Sequence, residues 1–481
     1  MFDSGPNGVG SFIGGNTYIG LQSRPPPLLG EEEALGWFSV CMGLVGLHYG
    51  VGFLIGTAEK VYYTGPSGSI YAVSASLGLL FLALYAPLYH RLRDRIEFVM
   101  ARKYEERSIG GMIAFLSWLW MLGITGAQIL GVTYIVSVWG ILDLKMVMAG
   151  IALLIWIVSL LDLRRMTLLF RGLLLISTLG IVLSLLASQS IGYYVHSIQA
   201  MIPSYLQASP GEILGISTTT ILLTMIGMDF HQFIVRAKGS KESVMGCVAA
   251  ASLLFLMAFL PTSTSLAAKD MGITPLGKND GKTILPLFLL EAGESIKIYG
   301  VGLVFAISLL AVALNSGAGL NRAMSLTLRD FLDSYAADTK RPGAHPLKNL
   351  PIPIVALLNV SLALGVAIAG KTMIDVIVTF YAIYVAGVFN PFLAFILEDK
   401  GLARFSARAI SLSIAFGAVS ALLTLVYWLL TGEVPLSSVF QANVELAMTS
   451  LGLALSALPL VMDYLRLKGW LRRFLNRMRV P

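Results

Sequence analysis

Three short stretches hold the side chains with which this sequence could do chemistry. ILGISTTTILLTMIGMDFHQFIVRAKGSKES places Ser217, Thr218, Thr219, Thr220 and Thr224 ahead of Gly227, then Asp229, His231 and Gln232. A carboxylate, an imidazole and an amide so close together can bind a cation or pass a proton, and they are too expensive to leave facing lipid. Arg236 follows closely, so simple solvation at the end of a span is the other reading. WFSVCMGLVGLHYGVGFLIGTAEKVYYTG sets Gly43, Gly46, Gly50, Gly52 and Gly56 around His48. Such glycines let a helix unwind and free carbonyls for a cation, or they let helices pack closely. His48 is either a ligand or a hydrogen-bonded interior residue. LLAVALNSGAGLNRAMSLTLRDFL interrupts an apolar helix with Asn315, Ser316, Gly317 and Gly319. Amide and hydroxyl oxygens there suit a hard monovalent cation, or they pack against a neighbouring helix.

The elements that must position these groups are membrane spans. Of 481 residues, 56% are hydrophobic and only 13% charged, against about a quarter charged in soluble domains, and the mean hydropathy is +0.78. This excludes cytosolic enzymes and nucleic-acid binders. Apolar segments long enough for a bilayer fall at roughly 35–60, 68–90, 110–139, 145–162, 167–189, 212–235, 244–267, 298–323, 353–369, 373–398, 407–431 and 444–465. The expectation is an all-α integral membrane protein with about twelve transmembrane helices. Residues 1–34 form a polar segment with Pro25, Pro26 and Pro27 and the acidic Glu31, Glu32 and Glu33, without the basic start and apolar core of a signal peptide. Residues 35–465 are one transmembrane domain, because the connections 268–297 and 324–352 are too short to bury cores of their own. Residues 466–481 are a basic tail.

Lys and Arg divide 27 to seven between the two sides of these spans. The positive-inside rule then puts both termini in the cytoplasm of a multi-pass protein of the cell membrane. The tail suits anionic lipid rather than nucleic acid. Cys41 and Cys247 lie within apolar runs and read as small core residues, not a disulfide or metal cluster. Spans one and six open two sets of five, and an odd number inverts the second set relative to the first, the arithmetic of inverted repeats around a midplane site.

With these residues in view, the chain resembles the sodium:solute symporter family from about Gly36 to Glu398. GWFSVCMGLVGLHYGVGFLIGTAEKVYYTGPSG is similar to the family's tryptophan-led entry helix and its aromatic, Gly-containing turn. RDRIEFVMARKY resembles its acidic-aromatic connection after the second helix, lacking the proline, and HQFIVRAK resembles a sixth-helix segment with one residue fewer. GLVFAISLLAVALNSGAGLNRAMSLTLRD resembles the eighth-helix segment that ends in an acidic residue. The resemblance implies a LeuT-type fold, a 5+5 inverted repeat of helices 1–5 and 6–10 plus two C-terminal helices, and sodium-driven transport of a small solute.

Carried over by position, the family's sodium site falls on backbone carbonyls of Gly46 and Tyr49 and on Ala311, Leu314 and Asn315; a shift of one residue gives Asn315 and Ser316. Leucine offers no side-chain ligand, residues 172–188 contain no acidic residue where much of the family has a fifth-helix aspartate, and His48 stands where Asn or Asp is typical. These departures leave a proton, carried by His48 or by Asp229 with His231, as the alternative coupling ion, since imidazole titrates near neutral pH. The family's substrate cavity falls on His48, Gly50, Phe53, Tyr71, Ser74, Gln128, His231, Phe233, Tyr381 and Tyr384, whose aromatics serve as a gate or stacking face or as membrane-core packing. Its few charges admit a zwitterion, a neutral polyol or a small carboxylate.

The expected function is therefore cation-coupled symport, with sodium first and protons second, by alternating access. A proton-coupled or uncoupled carrier and a non-transporting sensor or scaffold are the alternatives. Catalysis is not expected, because no nucleophile stands in helical register with a base and no zinc-ligand motif occurs. Beyond the coupling ion no cofactor is expected; the partners are a small solute and the lipid bilayer, with no nucleic acid, and the oligomeric state is not readable.

Overall fold

A computed structural model of the protein describes residues 34–92, 96–140, 143–277, 281–297, 300–336, 351–369, 374–435, 443–467 and 469. Nearly all of the polar segment 1–34 and most of the basic tail lie outside them. The described residues are helical throughout, apart from turns and one isolated bridge.

The first span is broken. Helix α1 (Trp37–His48) stops at Tyr49, whose ψ of 61° leaves the helical region, and a π-helical turn, Gly52–Gly56, leads into α2 (Thr57–Thr64). After a 3₁₀ turn come α3 (Ile70–Leu92), the short connector α4 (Ile96–Lys103), α5 (Arg107–Ser137), α6 (Leu144–Ser159), α7 (Leu163–Ala187) and α8 (Gly192–Gln207). The sixth span is broken as well, into α9 (Pro210–Ile226) and α10 (Met228–Val235), with Gly227 extended at φ −66°, ψ 125°. The chain continues as α11 (Ser240–Met257), α12 (Phe259–Asp270), α13 (Ile284–Glu294), α14 (Val301–Ser308) and α15 (Leu310–Ala336). It ends with α16 (Ile352–Ala369), α17 (Ile374–Asp399), α18 (Ala407–Thr431) and α19 (Val444–Leu467). Among the described residues nine helical stretches are long and apolar enough to cross a bilayer, and three shorter apolar helices fall on the first, fourth and ninth of the apolar segments.

Two contacts show that the broken spans run in opposite directions. At one end, Leu35 just before α1 donates to the Arg236 carbonyl just after α10 at 2.8 Å and accepts from Lys238 at 2.9 Å. At the other, Lys60 in α2 pairs with Glu212 in the first turn of α9 at 2.5 Å. Start therefore meets end on both sides, as the odd-numbered repeat requires.

The helices sort into two packed sets. Helices α1, α3, α9, α10 and α11 touch one another, while α5, α6, α15 and α16 form a second group. Helix α7 bridges α1 and α15, α17 bridges α5 and α9, and α18 and α19 pack together on α17. Ion pairs Arg91–Asp399 at 2.6 Å and Lys103–Glu398 at 3.1 Å fasten the end of α3 and α4 to the end of α17.

Two connections differ from the sequence expectation. Residues between 190 and 210 hold α8, with Val195, Ile198, Ile202 and Leu206 exposed in one stripe, the pattern of a helix lying in a lipid interface. The connection 268–297 contains α13, which buries Ile284, Leu285, Phe288 and Leu289 against the bundle. At eleven residues it is too short for a window matched to a span, and it has no core of its own because it uses that of the bundle.

Candidate functional site

A broken helix inside a membrane leaves backbone groups that must find partners, and here side chains from other elements supply them. At the first break, the Val51 amide donates to Gln128 Oε1 of α5 at 2.7 Å. The Leu47 carbonyl accepts from Ser316 Oγ of α15 at 2.8 Å. Gly50 sits between these two side chains: a Cβ there would lie 2.8 Å from Gln128 Oε1 and from Ser316 Cβ, so only glycine fits. At the second break, the Met225 carbonyl accepts from Tyr89 Oη of α3 at 2.8 Å and the Ile226 carbonyl from Tyr384 Oη of α17 at 2.9 Å. A Cβ on Gly227 would meet Asp229 Oδ1 at 2.8 Å, so this carboxyl oxygen turns back toward the break.

Both breaks open onto one cavity. Leu47, His48, Gly52 and Phe53 line it from the first span, and Asp229 and Phe230 from the sixth. Tyr71 of α3 adds to that side; Trp120, Ile124 and Gln128 of α5, Ser316 and Leu320 of α15, and Ile377 and Tyr381 of α17 form the other. The cavity is small, about 20 Å³, room for about one water where each takes roughly 10 to 15 Å³. Its rings are ordered against one another: His48 stacks on Phe230 at 4.3 Å, Trp120 meets Tyr381 edge-on at 5.7 Å, and the Tyr71 and Tyr381 hydroxyls are 3.4 Å apart. Asp229 Oδ1 and His48 Nε2 are buried with no hydrogen-bond partner.

Seven residues expected at a substrate or proton site thus meet here: His48, Phe53, Tyr71, Gln128, Asp229 and Tyr381 on the wall, with Gly50 at the break beside it. The others lie elsewhere. Ser74 bonds Ser217 at 3.1 Å. His231 packs its ring on Tyr89 at 3.8 Å, behind the second break, while Phe233 fills the space over Gly43, and Tyr384 holds the Ile226 carbonyl.

Of the residues expected around a sodium ion, Gly46 faces the Phe170 ring of α7 and Tyr49 is fully buried. The Leu314 side chain is hydrocarbon only, and Ala311, expected to act through its backbone carbonyl, is buried. Ser316 is engaged by Leu47. Asn315 stands apart: it is 0% exposed and neither amide atom has a partner. One turn further along α15, Gly319 faces Leu47 of α1 and Phe170 of α7, which puts Asn315 on the side of α15 that meets those helices.

Solved structures share this arrangement. A Na+-coupled sialic acid symporter, solved in a substrate-bound outward-open state, superposes with a TM-score of 0.65 at 13% identity, over 88% of this chain and 90% of that one. This chain has the LeuT-type fold. The Eremococcus coleocola manganese transporter matches at TM-score 0.55 and 15% identity, over 89% of this chain and 95% of that one. Mhp1, a nucleobase-cation-symport-1 family transporter in a closed conformation with bromovinylhydantoin bound, matches at 0.54 and 12%, over 92% and 96%. No protein-family model matches the sequence, and no curated protein does.

Sequence reasoning missed Leu47 and Phe230, next to His48 and Asp229, and also Trp120, Ile124, Leu320 and Ile377 in the lining. Each of the last four lies four residues, or eight, from one it had found: Trp120 and Ile124 before Gln128, Leu320 after Ser316, Ile377 before Tyr381. Helical periodicity places such residues on one face, and that signal was available. Nothing in the sequence marked Tyr89 as the partner of the second break.

Proposed function

We propose that the protein is a cation-coupled secondary transporter of a small organic solute, with sodium as the coupling ion. The observation that carries this reading is a buried cavity on which two oppositely directed, discontinuous helices converge. Such breaks hold substrate and ion sites in secondary transporters, and the transporters that share the fold agree with transport in general. The first helix group, α1, α3, α9, α10 and α11, rocks against the group of α5, α6, α15 and α16, exposing the cavity to each side in turn. A cavity of about 20 Å³ admits no organic solute unless the groups part. Asn315, with Gly46 and Tyr49 carbonyls of the first span, holds the ion on the far side of α1 from the solute.

Protons are the second reading, favoured by His48 and Asp229 lining the same cavity. Uptake into proteoliposomes with sodium and proton gradients imposed separately distinguishes the two. Sodium-driven uptake at constant pH supports the first, and uptake that follows only an inward proton gradient supports the second.

A further inference from the structure

We infer that the solute is a small organic ammonium compound, and that Asp229 receives its positive charge inside an aromatic box. This rests on the transport reading and names the class of solute for the same cavity.

Asp229 is the only carboxyl among the described residues that line the cavity, and no Lys or Arg is among them. It is 2% exposed, and its Oδ1 accepts no hydrogen bond. A buried carboxylate is costly unless a cation sits on it, and the first turn of α10 relieves this only in part. An anionic solute would meet this charge with no compensating cation.

The cation that belongs here is organic rather than a bare metal ion. Hard cations want several oxygen ligands at once, and the lining offers few: Gln128 Oε1 accepts from the Val51 amide, Ser316 Oγ donates to the Leu47 carbonyl, and the Tyr71 and Tyr381 hydroxyls lie 3.4 Å apart. The rest of the lining is ring and aliphatic carbon, with Leu47, Ile124, Leu320 and Ile377 set among the rings. Trp120, Phe230, Phe53 and the two tyrosines line the same cavity as Asp229. Ring faces attract ammonium groups, and more strongly when water is excluded. A carboxylate with an aromatic wall therefore selects a cation that carries hydrocarbon.

The test is ligand binding to the full-length protein in lipid nanodiscs, read as the shift in melting temperature along titrations of matched probes. Choline is paired with 3,3-dimethylbutan-1-ol, which has the same shape and no charge; ethanolamine is paired with ethylene glycol, and acetate serves as the anion. At least one ammonium probe should bind ten-fold or more tightly than its neutral partner, and acetate should not bind. D229N should abolish that preference and D229E should keep part of it. The inference is overturned if neutral or anionic probes bind as well as the ammonium ones, if no ammonium probe binds, or if D229N retains the ten-fold preference. It is also overturned if D229N loses a stabilisation by sodium chloride alone while still preferring ammonium, which would make Asp229 an ion ligand. The wild-type pairs decide the matter even if D229N does not fold. Because binding is read without transport, selectivity can fail while gradient-driven uptake stands, and uptake can fail while selectivity stands.

Discussion

Asn315 and His48 are the two residues whose chemistry separates the coupling schemes. Asn315 keeps a buried amide without a single partner, and an unpaired polar group in such a place costs about 1 to 3 kcal/mol. Asn315→Leu removes the polar atoms at nearly constant volume, so expression and melting temperature should hold or rise while sodium-dependent uptake disappears. Unchanged sodium dependence would remove Asn315 from the ion site. His48 stacks on Phe230 with Nε2 unpartnered. His48→Asn should leave uptake driven by sodium and indifferent to pH between about 6 and 8, the window in which an ordinary imidazole titrates. If instead the substitution abolishes a proton-driven uptake present in the wild type, the histidine is the coupling group.

At the scale of elements, the breaks are held open by side chains from other helices, so these side chains should control stability more than their number suggests. Gln128→Leu strands the Val51 amide, and the expected loss is about 1 to 3 kcal/mol, seen as a lower melting temperature in detergent. Tyr384→Phe leaves the Ile226 carbonyl beside an apolar ring and should cost less, about 1 kcal/mol, because His231 Nε2 and Tyr89 still hold the adjacent Met225 carbonyl. Equal stability of Gln128→Leu and wild type would mean that the first break is satisfied in another way. The same elements show what the sequence could reveal. Long apolar runs with glycines at Gly50 and Gly227 marked both broken spans, since composition alone fixes where the chain is apolar and where it can unwind. The partners of the freed carbonyls were invisible, because Tyr89 and Tyr384 look like ordinary membrane tyrosines until the fold brings α3 and α17 to the second break. His231 and Phe233 show the limit of position-matching: they follow Asp229 in sequence, yet the helical turn of α10 aims them at Tyr89 and Gly43 instead of the cavity.

For the whole molecule, the 27 to seven division of Lys and Arg predicts the orientation. Single cysteines at Glu105 and Leu402 should react with an impermeant maleimide only from the cytoplasm, and those at Ala208 and Glu433 only from outside. External labelling at Glu105 would invert or dissolve the span assignment. The two broken spans run in opposite directions, fixed by the Leu35–Arg236 and Lys60–Glu212 contacts, and on the proposed reading the cavity is reached from either side as the two helix groups part. The most direct test of that claim is uptake by proteoliposomes of purified protein, with the solute found by counterflow and sodium and proton gradients imposed one at a time. The expected result is concentrative uptake that requires inward sodium, saturates at about 1 to 50 mM as for a weak oxygen-ligand site, and persists with no pH gradient. Accumulation that ignores sodium, or no movement of any solute under either gradient, would contradict it.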